Sequence, residues 1–172
     1  MKFKAPAFLL ALALVAPLAL AAKADSPALP AAATADQVTT SKLVYGLLSD
    51  SRYAYRPRAL DEATSKDVFK RYLETLDGGK QYFTQADVAR FAPFEANIAS
   101  AIRGGELEPS FQVFAVYKQR VGERVAYARK LLKQEPDFTT DERFEYDRKK
   151  VPWAASSAEL DELWRKIGRA HV

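Results

Sequence analysis

The side chains that could catalyse a reaction are few in this 172-residue chain, and their spacing does not assemble a reactive group. The single histidine, His171, is the residue before the last, so a Ser–His pair would depend on a terminus that is expected to fray. A Ser–Lys dyad needs no histidine, because a buried lysine can lose its proton and act as base. Two adjacent pairs, Ser41-Lys42 and Ser65-Lys66, could be considered. Neighbours on a helix do not face each other, so both are expected to be solvated helix positions, and no catalytic residue is assigned.

Metal and cofactor chemistry is likewise not predicted. The chain has no cysteine, no glycine-rich phosphate loop and no serine elbow. An acidic cluster is formed by Asp137, Asp141, Glu142, Glu145 and Asp147. Calcium needs oxygens that converge on a tight loop, usually with a glycine at the turn, and no glycine lies here. Basic residues are interleaved with the acids, so we expect a salt-bridged surface.

A basic and aromatic segment between residues 52 and 58 contains Arg52, Tyr53, Tyr55, Arg56 and Arg58. Such mixtures occur on nucleic-acid-binding surfaces. The alternative is a connector whose tyrosines pack on a helical bundle while the arginines stay in water. We interpret the segment as a connector and predict no nucleic-acid partner, because the chain is nearly neutral once its predicted signal peptide, described next, is removed.

Residues 1–24 are predicted to be a secretory signal peptide. Its parts are the basic residues Lys2 and Lys4, the apolar run Phe8–Leu20 and the site Ala22-Lys23-Ala24 ahead of Asp25, with Ala19-Leu20-Ala21 as a second site. A retained membrane anchor is the alternative, but the run is shorter than the ~20 apolar residues of a span and Pro17 interrupts it. Removal of residues 1–24 takes away three lysines and no acid, which lowers the net charge from +4 to +1. We therefore expect an exported, periplasmic protein that contacts the membrane only through its signal peptide during export.

The rest of the chain is predicted to be all-α, an irregular bundle of about five helices that follows a flexible leader, residues 25–35. The first helix, with Asp36 as its N-cap, has Leu43, Val44, Leu47 and Leu48 on one face. The second carries Val68, Phe69, Tyr72, Leu73 and Leu76, and it is expected to end at Asp77-Gly78-Gly79 through a left-handed glycine.

The third predicted helix begins at Thr84, which is paired with Asp87 in a capping box, and closes at Gly104-Gly105. Pro93 is expected to kink or break it near Phe91.

The longest helix is predicted from Pro109 to Gln134, before Glu135-Pro136. Its buried stripe is expected to be Phe111, Phe114, Tyr117, Val121, Val125, Ala128, Leu131 and Leu132. The aromatic side chains of the helical faces are interpreted as core, with a partner-binding groove as the alternative. Residues 136–155 are predicted to be an ordered loop with a short helix at 141–149. Ser156 and Glu159 form a capping box that opens the last helix.

Several short segments of the sequence resemble, in their order and spacing, the amino-terminal region of the tail-specific (carboxy-terminal-processing) proteases, peptidase family S41. They are Phe69-Lys70-Arg71-Tyr72-Leu73, Leu76-Asp77, Tyr82-Phe83, Asp87, Asp137-Phe138-Thr139, Tyr146-Asp147-Arg148, Pro152-Trp153, Glu159-Leu160-Asp161 and Leu163-Trp164. The resemblance covers about residues 36–166. It implies a helical domain that carries no catalytic residue of its own, within a periplasmic serine endopeptidase that uses a Ser–Lys dyad.

The resemblance also implies partners and a boundary. Protein substrates would be recognised by their apolar C-termini through a PDZ domain downstream of the matched region, and a periplasmic adaptor protein is a second expected partner. Residues 167–172 depart from the family and coincide with the translation of a common sequencing-adapter read, so we predict a truncated chain with a non-native tail. Val151-Pro152-Trp153 and the helix of Trp164 are expected to pack on segments beyond this chain.

Two other functions remain open from the residues alone. The chain could be a complete small periplasmic binding or adaptor protein that works through a groove between helices. It could also be a stand-alone hydrolase that uses carboxylates or a Ser–Lys pair, which would predict activity in the purified chain.

Overall fold

A computed structural model describes residues 31–135 and 137–170. The predicted signal peptide, most of the leader, Pro136 and the last two residues, His171 among them, lie outside the described residues. The described part is all-helical, and its one β-type contact is a parallel bridge between Thr84 and Ala154. The helices are α1 (Ala35–Ser49), α2 (Glu62–Asp77), α3 (Gln85–Glu95), α4 (Ile98–Gly104), α5 (Glu108–Leu131) and α6 (Ser157–Ala170). The all-α prediction is confirmed, with six helices because the predicted third one is divided in two.

The core lies where α2, α3, α4 and α5 meet. Its buried side chains are Phe69, Leu73, Phe83, Phe91, Ile98 and Val113. Phe83, from the loop before α3, is fully buried and meets Phe91 edge to face with the ring centroids 5.5 Å apart. Aromatic pairs favour this arrangement because the positive ring edge meets the negative ring face.

The buried face of α2 is a stripe at a spacing of four residues: Ser65, Phe69, Leu73 and Asp77. A helix places residues four apart on one side, so the stripe points at one set of neighbours. Ser65 was expected to be solvated and is buried instead, with its hydroxyl accepting a hydrogen bond from the Ala99 amide of α4 at 3.2 Å. Ser65 and Asp77, at the two ends of the stripe, therefore join α2 to other elements, while Phe69 and Leu73 at its centre fill the core.

The helix ends follow local chemistry, with two corrections. Thr34, not Asp36, caps α1, in a capping box with Gln37. The box of Thr84 and Asp87 on α3 is confirmed. Gly105 takes the left-handed conformation at the end of α4, with φ of 79°. After α2 the left-handed residue is Lys80, with φ of 51°, and not a glycine.

Pro93 does not break its helix near Phe91 as predicted. It lies inside α3, which continues to Glu95, and the chain turns before α4 starts at Ile98. Proline removes one amide donor and clashes with the carbonyl four residues earlier, and α3 ends two residues after Pro93. The break is thus displaced toward the C-terminus of the predicted element.

The buried residues of α5 differ from the predicted stripe. Val113 and Arg124 are the buried ones, and neither belongs to that stripe. Val125 and Leu132 are exposed, and Phe111, Phe114 and Tyr117 are half-buried, with Tyr117 packed against the core. The α5 helix extends past the small core, so only one part of its apolar surface meets other helices.

The segment after α5 has no helix at 141–149, which makes that prediction wrong. Arg148 donates from Nε to the Gly79 carbonyl at 3.0 Å, and the Lys149 carbonyl accepts from Lys80 Nζ at 2.9 Å. These contacts hold the segment as an irregular connector against the loop after α2. At its end, the Ser156 hydroxyl accepts from the Glu159 amide, whereas the Glu159 carboxylate reaches the amide of Ala155 and not that of Ser156. The predicted box is thus half formed.

Among the described helices, none combines the length and the apolar character that crossing a membrane would require.

Candidate functional site

A cluster of polar contacts surrounds the carboxylate of Asp77, the last residue of α2. Its oxygens accept hydrogen bonds from the amides of Gln81, Tyr82 and Phe83 at 2.7, 3.2 and 2.9 Å. Trp153 of the connector adds its indole Nε1 at 3.2 Å. We call these five residues the Asp77 junction. It closes the α2–α3 loop and fastens the connector to it.

The charge state of Asp77 is set by two opposed effects. Only 2% of the residue is exposed, and this burial raises the pKa of its carboxyl group above the ordinary value. The hydrogen bonds from Phe83, Gln81, Tyr82 and Trp153 favour the ionised form and lower the pKa, but burial prevails. A carboxylate at the C-terminal end of a helix is also opposed by the helix dipole. An acid is unfavourable at this end of a helix, so its presence at position 77 was a sign in the sequence that tertiary contacts hold the side chain.

Trp153 is fixed from several sides. Lys80 Nζ lies over its ring, 4.8 Å from the centroid, and its carbonyl accepts from Gln85 Nε2 at 2.9 Å. The next residue, Ala154, accepts from the Gln85 amide at 2.9 Å. This segment therefore packs on the loop after α2, and its predicted contact with parts beyond the chain stays a prediction.

A second cluster lies at the start of α3. The carboxylate of Asp87 accepts from both the amide and the hydroxyl of Thr84 and from Arg120 of α5, whose Nε and Nη2 each lie 2.9 Å from one of its oxygens. Burial alone would raise the pKa of Asp87. The hydrogen bonds from Arg120 and Thr84 outweigh burial and hold that pKa below its ordinary value. This two-point contact locks α5 onto the N-terminus of α3.

The helix α6 is attached by a buried apolar residue and two polar links. Leu160 is buried, and Trp164 Nε1 donates to the Gln81 carbonyl at 2.8 Å. Arg124 of α5 is buried and pairs with Asp161 through Nη1, while its Nε has no hydrogen-bond partner within the described chain. This part of α6 thus packs on α5 and on the loop after α2, and its predicted contact with segments beyond the chain stays a prediction.

The two adjacent Ser–Lys pairs, which were expected to be solvated helix positions, do not form dyads. The Ser41 hydroxyl donates to the carbonyls of Val38 and Ile102, and Ser65 is buried against α4. Lys66 forms an ion pair with Glu62, one helical turn away. Each hydroxyl therefore has partners other than the lysine that follows it.

The predicted acidic cluster is dispersed. Glu142 pairs with Arg165 and Arg169 of α6, while Asp137 accepts from Thr139 and Thr140 in its own turn. Within residues 31–135 and 137–170, no group of acidic or histidine side chains is arranged to hold a metal ion. Hydrogen bonds from Arg165 lower the pKa of Glu142. The acids thus tie the connector to α6.

The basic and aromatic segment also differs from its prediction. Its tyrosines do not pack on the bundle, since 66% of Tyr53 and 96% of Tyr55 are exposed. Arg52 forms a bidentate contact with Asp50. The segment is thus a surface feature.

One sizeable cleft opens in the described chain, between the C-terminal end of α5 and α6. Its volume is about 620 Å³. Mostly apolar residues line it, including Ala128, Leu131, Leu132, Trp164 and Ile167. Glu135, Asp137, Arg165 and Arg169 also line the cleft, but most of its exposed surface is apolar, which suits apolar side chains of a partner.

Comparison with known proteins agrees with this architecture. The family described as the tail specific protease N-terminal domain matches residues 47–172, more than half of the chain. The Tail-specific protease of Haemophilus influenzae is 28% identical over 143 residues, which are 83% of this chain and 20% of that protein. The chain thus spans about a fifth of the length of this relative. The segments that surround Asp77, Asp87 and Trp164 all lie within the matched region, and the chain belongs to the family of tail-specific protease N-terminal domains.

Proposed function

We propose that this chain is the non-catalytic helical N-terminal domain of a periplasmic carboxy-terminal-processing serine protease. In this role it is a platform that shapes access to a protease domain, which degrades or trims proteins recognised by their apolar C-termini. The family membership supports the protease context. The serine and lysine of the reaction, and the PDZ domain that reads the substrate, are assigned to the polypeptide beyond this chain.

The observation that supports a platform best is the Asp77 junction. One buried carboxylate fixes four donors from two segments that are far apart in the sequence. A rigid frame positions a substrate chain better than mobile loops do, because less conformational freedom is lost on binding.

The first test is a sequencing read of the source genome across the codons for Trp164 to Val172. A frame that continues past Arg165 into PDZ and Ser–Lys protease sequence supports the proposal and the non-native tail. A stop codon directly after Val172 contradicts both.

A second test uses the full-length protein once its gene is read. Asp77→Asn should lower kcat/KM for folded proteins with apolar C-termini more than for short peptides of the same C-terminal sequence, because a short peptide needs less guidance. Asp67→Asn, which changes an exposed acid on the same helix, is the matched control. Equal losses for both substrates would argue against a role in substrate access.

The α5–α6 cleft favours one alternative, a small periplasmic helical binding or adaptor protein. Its apolar lining would take apolar side chains of a partner peptide. This alternative predicts that Leu131→Asp abolishes peptide binding by the purified chain while leaving its helical content unchanged. Unchanged binding in that variant would reject the cleft as the working surface.

A further inference from the structure

The helices α5 and α6 lie side by side and run in the same direction. Arg124 of α5 pairs with Asp161 of α6, and farther along, Arg169 of α6 lies 5.8 Å from the ring of Phe138, which follows α5. Residue numbers therefore rise together along the two helices. Antiparallel neighbours can be joined by a short loop, whereas this parallel pair requires the long connector between them. The C-terminal ends of both helices consequently meet at the α5–α6 cleft.

The α5 side of this cleft is apolar and incompletely covered. Leu132, directly after α5, is 80% exposed, and Ala128 and Leu131 are half-buried. All three were predicted to belong to the buried stripe of α5. Trp164 lines the cleft from α6, and no described residue fills its volume of about 620 Å³. Apolar side chains left in this way lose the free energy that burial away from water would provide.

The attachment of α6 to α5 is also weaker than that of α3. Arg120 holds the carboxylate of Asp87 on α3 at two points, through Nε and Nη2. One turn later, Arg124 holds Asp161 of α6 through Nη1, and its buried Nε has no hydrogen-bond partner within the described chain. The α5–α6 contact thus combines a single-point ion pair with an unfilled apolar cleft.

We propose that the α5–α6 cleft is filled by the polypeptide that follows position 166 in the full-length protein, through apolar side chains that pack on Ala128, Leu131 and Trp164. This inference rests on the proposed function, which assigns the PDZ and protease domains to that polypeptide. Ile167 and the residues after it form the predicted non-native tail, so the native residues would take their place in the cleft. The packing would fix the direction in which the chain leaves α6, and with it the orientation of the helical platform relative to the protease domain.

Geometry and size favour this occupant. The chain that leaves α6 starts at the cleft, and a tethered segment has an effective concentration in the millimolar range. The Haemophilus influenzae relative, of which the match covers 20%, has ample polypeptide for such a segment. A stable interface between separate chains buries about 1,600 Å², whereas a cleft of about 620 Å³ takes only a few side chains. A contact this small is sufficient for a linked segment, because the tether has already reduced the entropy that binding costs.

Thiol labelling of the full-length protein tests the proposal. Leu132→Cys should react at least about ten-fold more slowly than Tyr55→Cys, although the two positions are 80% and 96% exposed in the described chain. Residues 1–172 contain no cysteine, so the labelled peptide of each variant is identified by its mass. Addition of Leu131→Asp should return Leu132→Cys to fast labelling. Val125→Asp, at an exposed aliphatic residue of α5 outside the cleft lining, is the matched control and should not.

A photo-cross-linker attached to Leu132→Cys identifies what covers the cleft. We expect a cross-link within one polypeptide, to a residue after position 166. A product of doubled mass that disappears on dilution would assign the cleft to a second copy, and a cross-link to another protein would assign it to a separate partner. Either product would overturn the proposal, as would equally fast labelling of Leu132→Cys and Tyr55→Cys.

Failure of this inference is distinguishable from failure of the proposed function. A stop codon directly after Val172 would overturn both. A reading frame that continues into PDZ and protease sequence, together with fast labelling of Leu132→Cys, would leave the proposed function in place and overturn only the assignment of the cleft.

Discussion

The indole of Trp153 donates to the carboxylate of Asp77 at 3.2 Å, across a separation of 76 residues. The oxygen that receives it, Oδ2, also accepts from the amide of Phe83, which is fully buried in the core. One carboxylate therefore joins the end of α2, the loop before α3 and the connector before α6. The segments that resemble the tail-specific proteases are thereby a single packed unit.

Replacement of Asp77 should be among the most destabilising single changes in the described chain. Asp77→Ala leaves three amides and one indole N–H without their acceptor, and we expect a loss of about 3 kcal/mol or more in the free energy of unfolding. Urea unfolding followed by circular dichroism measures it. Asp67→Ala, at an exposed acid of the same helix, should change the free energy of unfolding by less than about 0.5 kcal/mol. Similar losses in both variants would show that the junction contributes little.

The two buried carboxylates should give opposite pH dependence. The pKa of Asp87 is lowered in the folded state, so its stabilising contribution is full above the ordinary value of 3.8 and is lost as the pH falls through the folded-state pKa. The pKa of Asp77 is raised, so its contribution is full below 3.8 and is lost as the pH rises through the higher folded-state pKa.

Urea midpoints between about pH 2 and pH 7 separate these contributions. Asp87→Asn should be less stable than the unaltered protein at neutral pH and should lose less stability on acidification. Asp77→Asn should remove the part of the profile in which stability falls as the pH rises above 3.8. Parallel profiles for all three proteins would contradict both assignments.

The elements that the sequence predicted well are those whose signals are local. The capping box of Thr84 and Asp87 and the helix end at Gly104-Gly105 depend on neighbours in the chain, and both are present. Periodicity also located the core of α2, because Phe69 and Leu73 repeat at helical spacing. Local hydrogen bonding and spacing are properties of the sequence itself.

Some helix ends were misplaced by local chemistry, as at Thr34 and Lys80, but the larger errors arose where a distant segment decides the outcome. Periodicity grouped the leucines of α1 on one face, but it could not tell that α4 would meet another face, where Val38, Ser41 and Tyr45 are half-buried. The predicted helix at 141–149 was lost to contacts of Arg148 and Lys149 with the loop after α2. The contact of Trp153 with Asp77 was missed for the same reason, since the two residues are 76 positions apart.

The buried hydroxyl of Ser65 provides a third prediction. Ser65→Ala removes the acceptor of the Ala99 amide inside the contact of α2 with α4, and we expect it to cost about 1–3 kcal/mol of unfolding free energy. Ser100→Ala is the control, since that exposed serine bonds only to the Asn97 carbonyl within the first turn of α4. Equal and small effects in the two variants, measured by urea unfolding, would show that water can replace the Ser65 contact.

Two glycines should respond in opposite directions to the same substitution. At Gly105 φ is 79°, and an added Cβ would lie 2.7 Å from both Val38 Cγ1 and Lys42 Cε. Gly105→Ala should therefore destabilise the protein by about 1–2 kcal/mol, through backbone strain and through crowding of α1 against the end of α4. At Gly122, inside α5, an added Cβ meets nothing within 4 Å, and Gly122→Ala should stabilise the protein by about 0.5–1 kcal/mol because alanine loses less backbone entropy in a helix. Thermal unfolding of both variants measures these effects. A stabilised Gly105→Ala would mean that α1 does not pack against the end of α4 at this glycine.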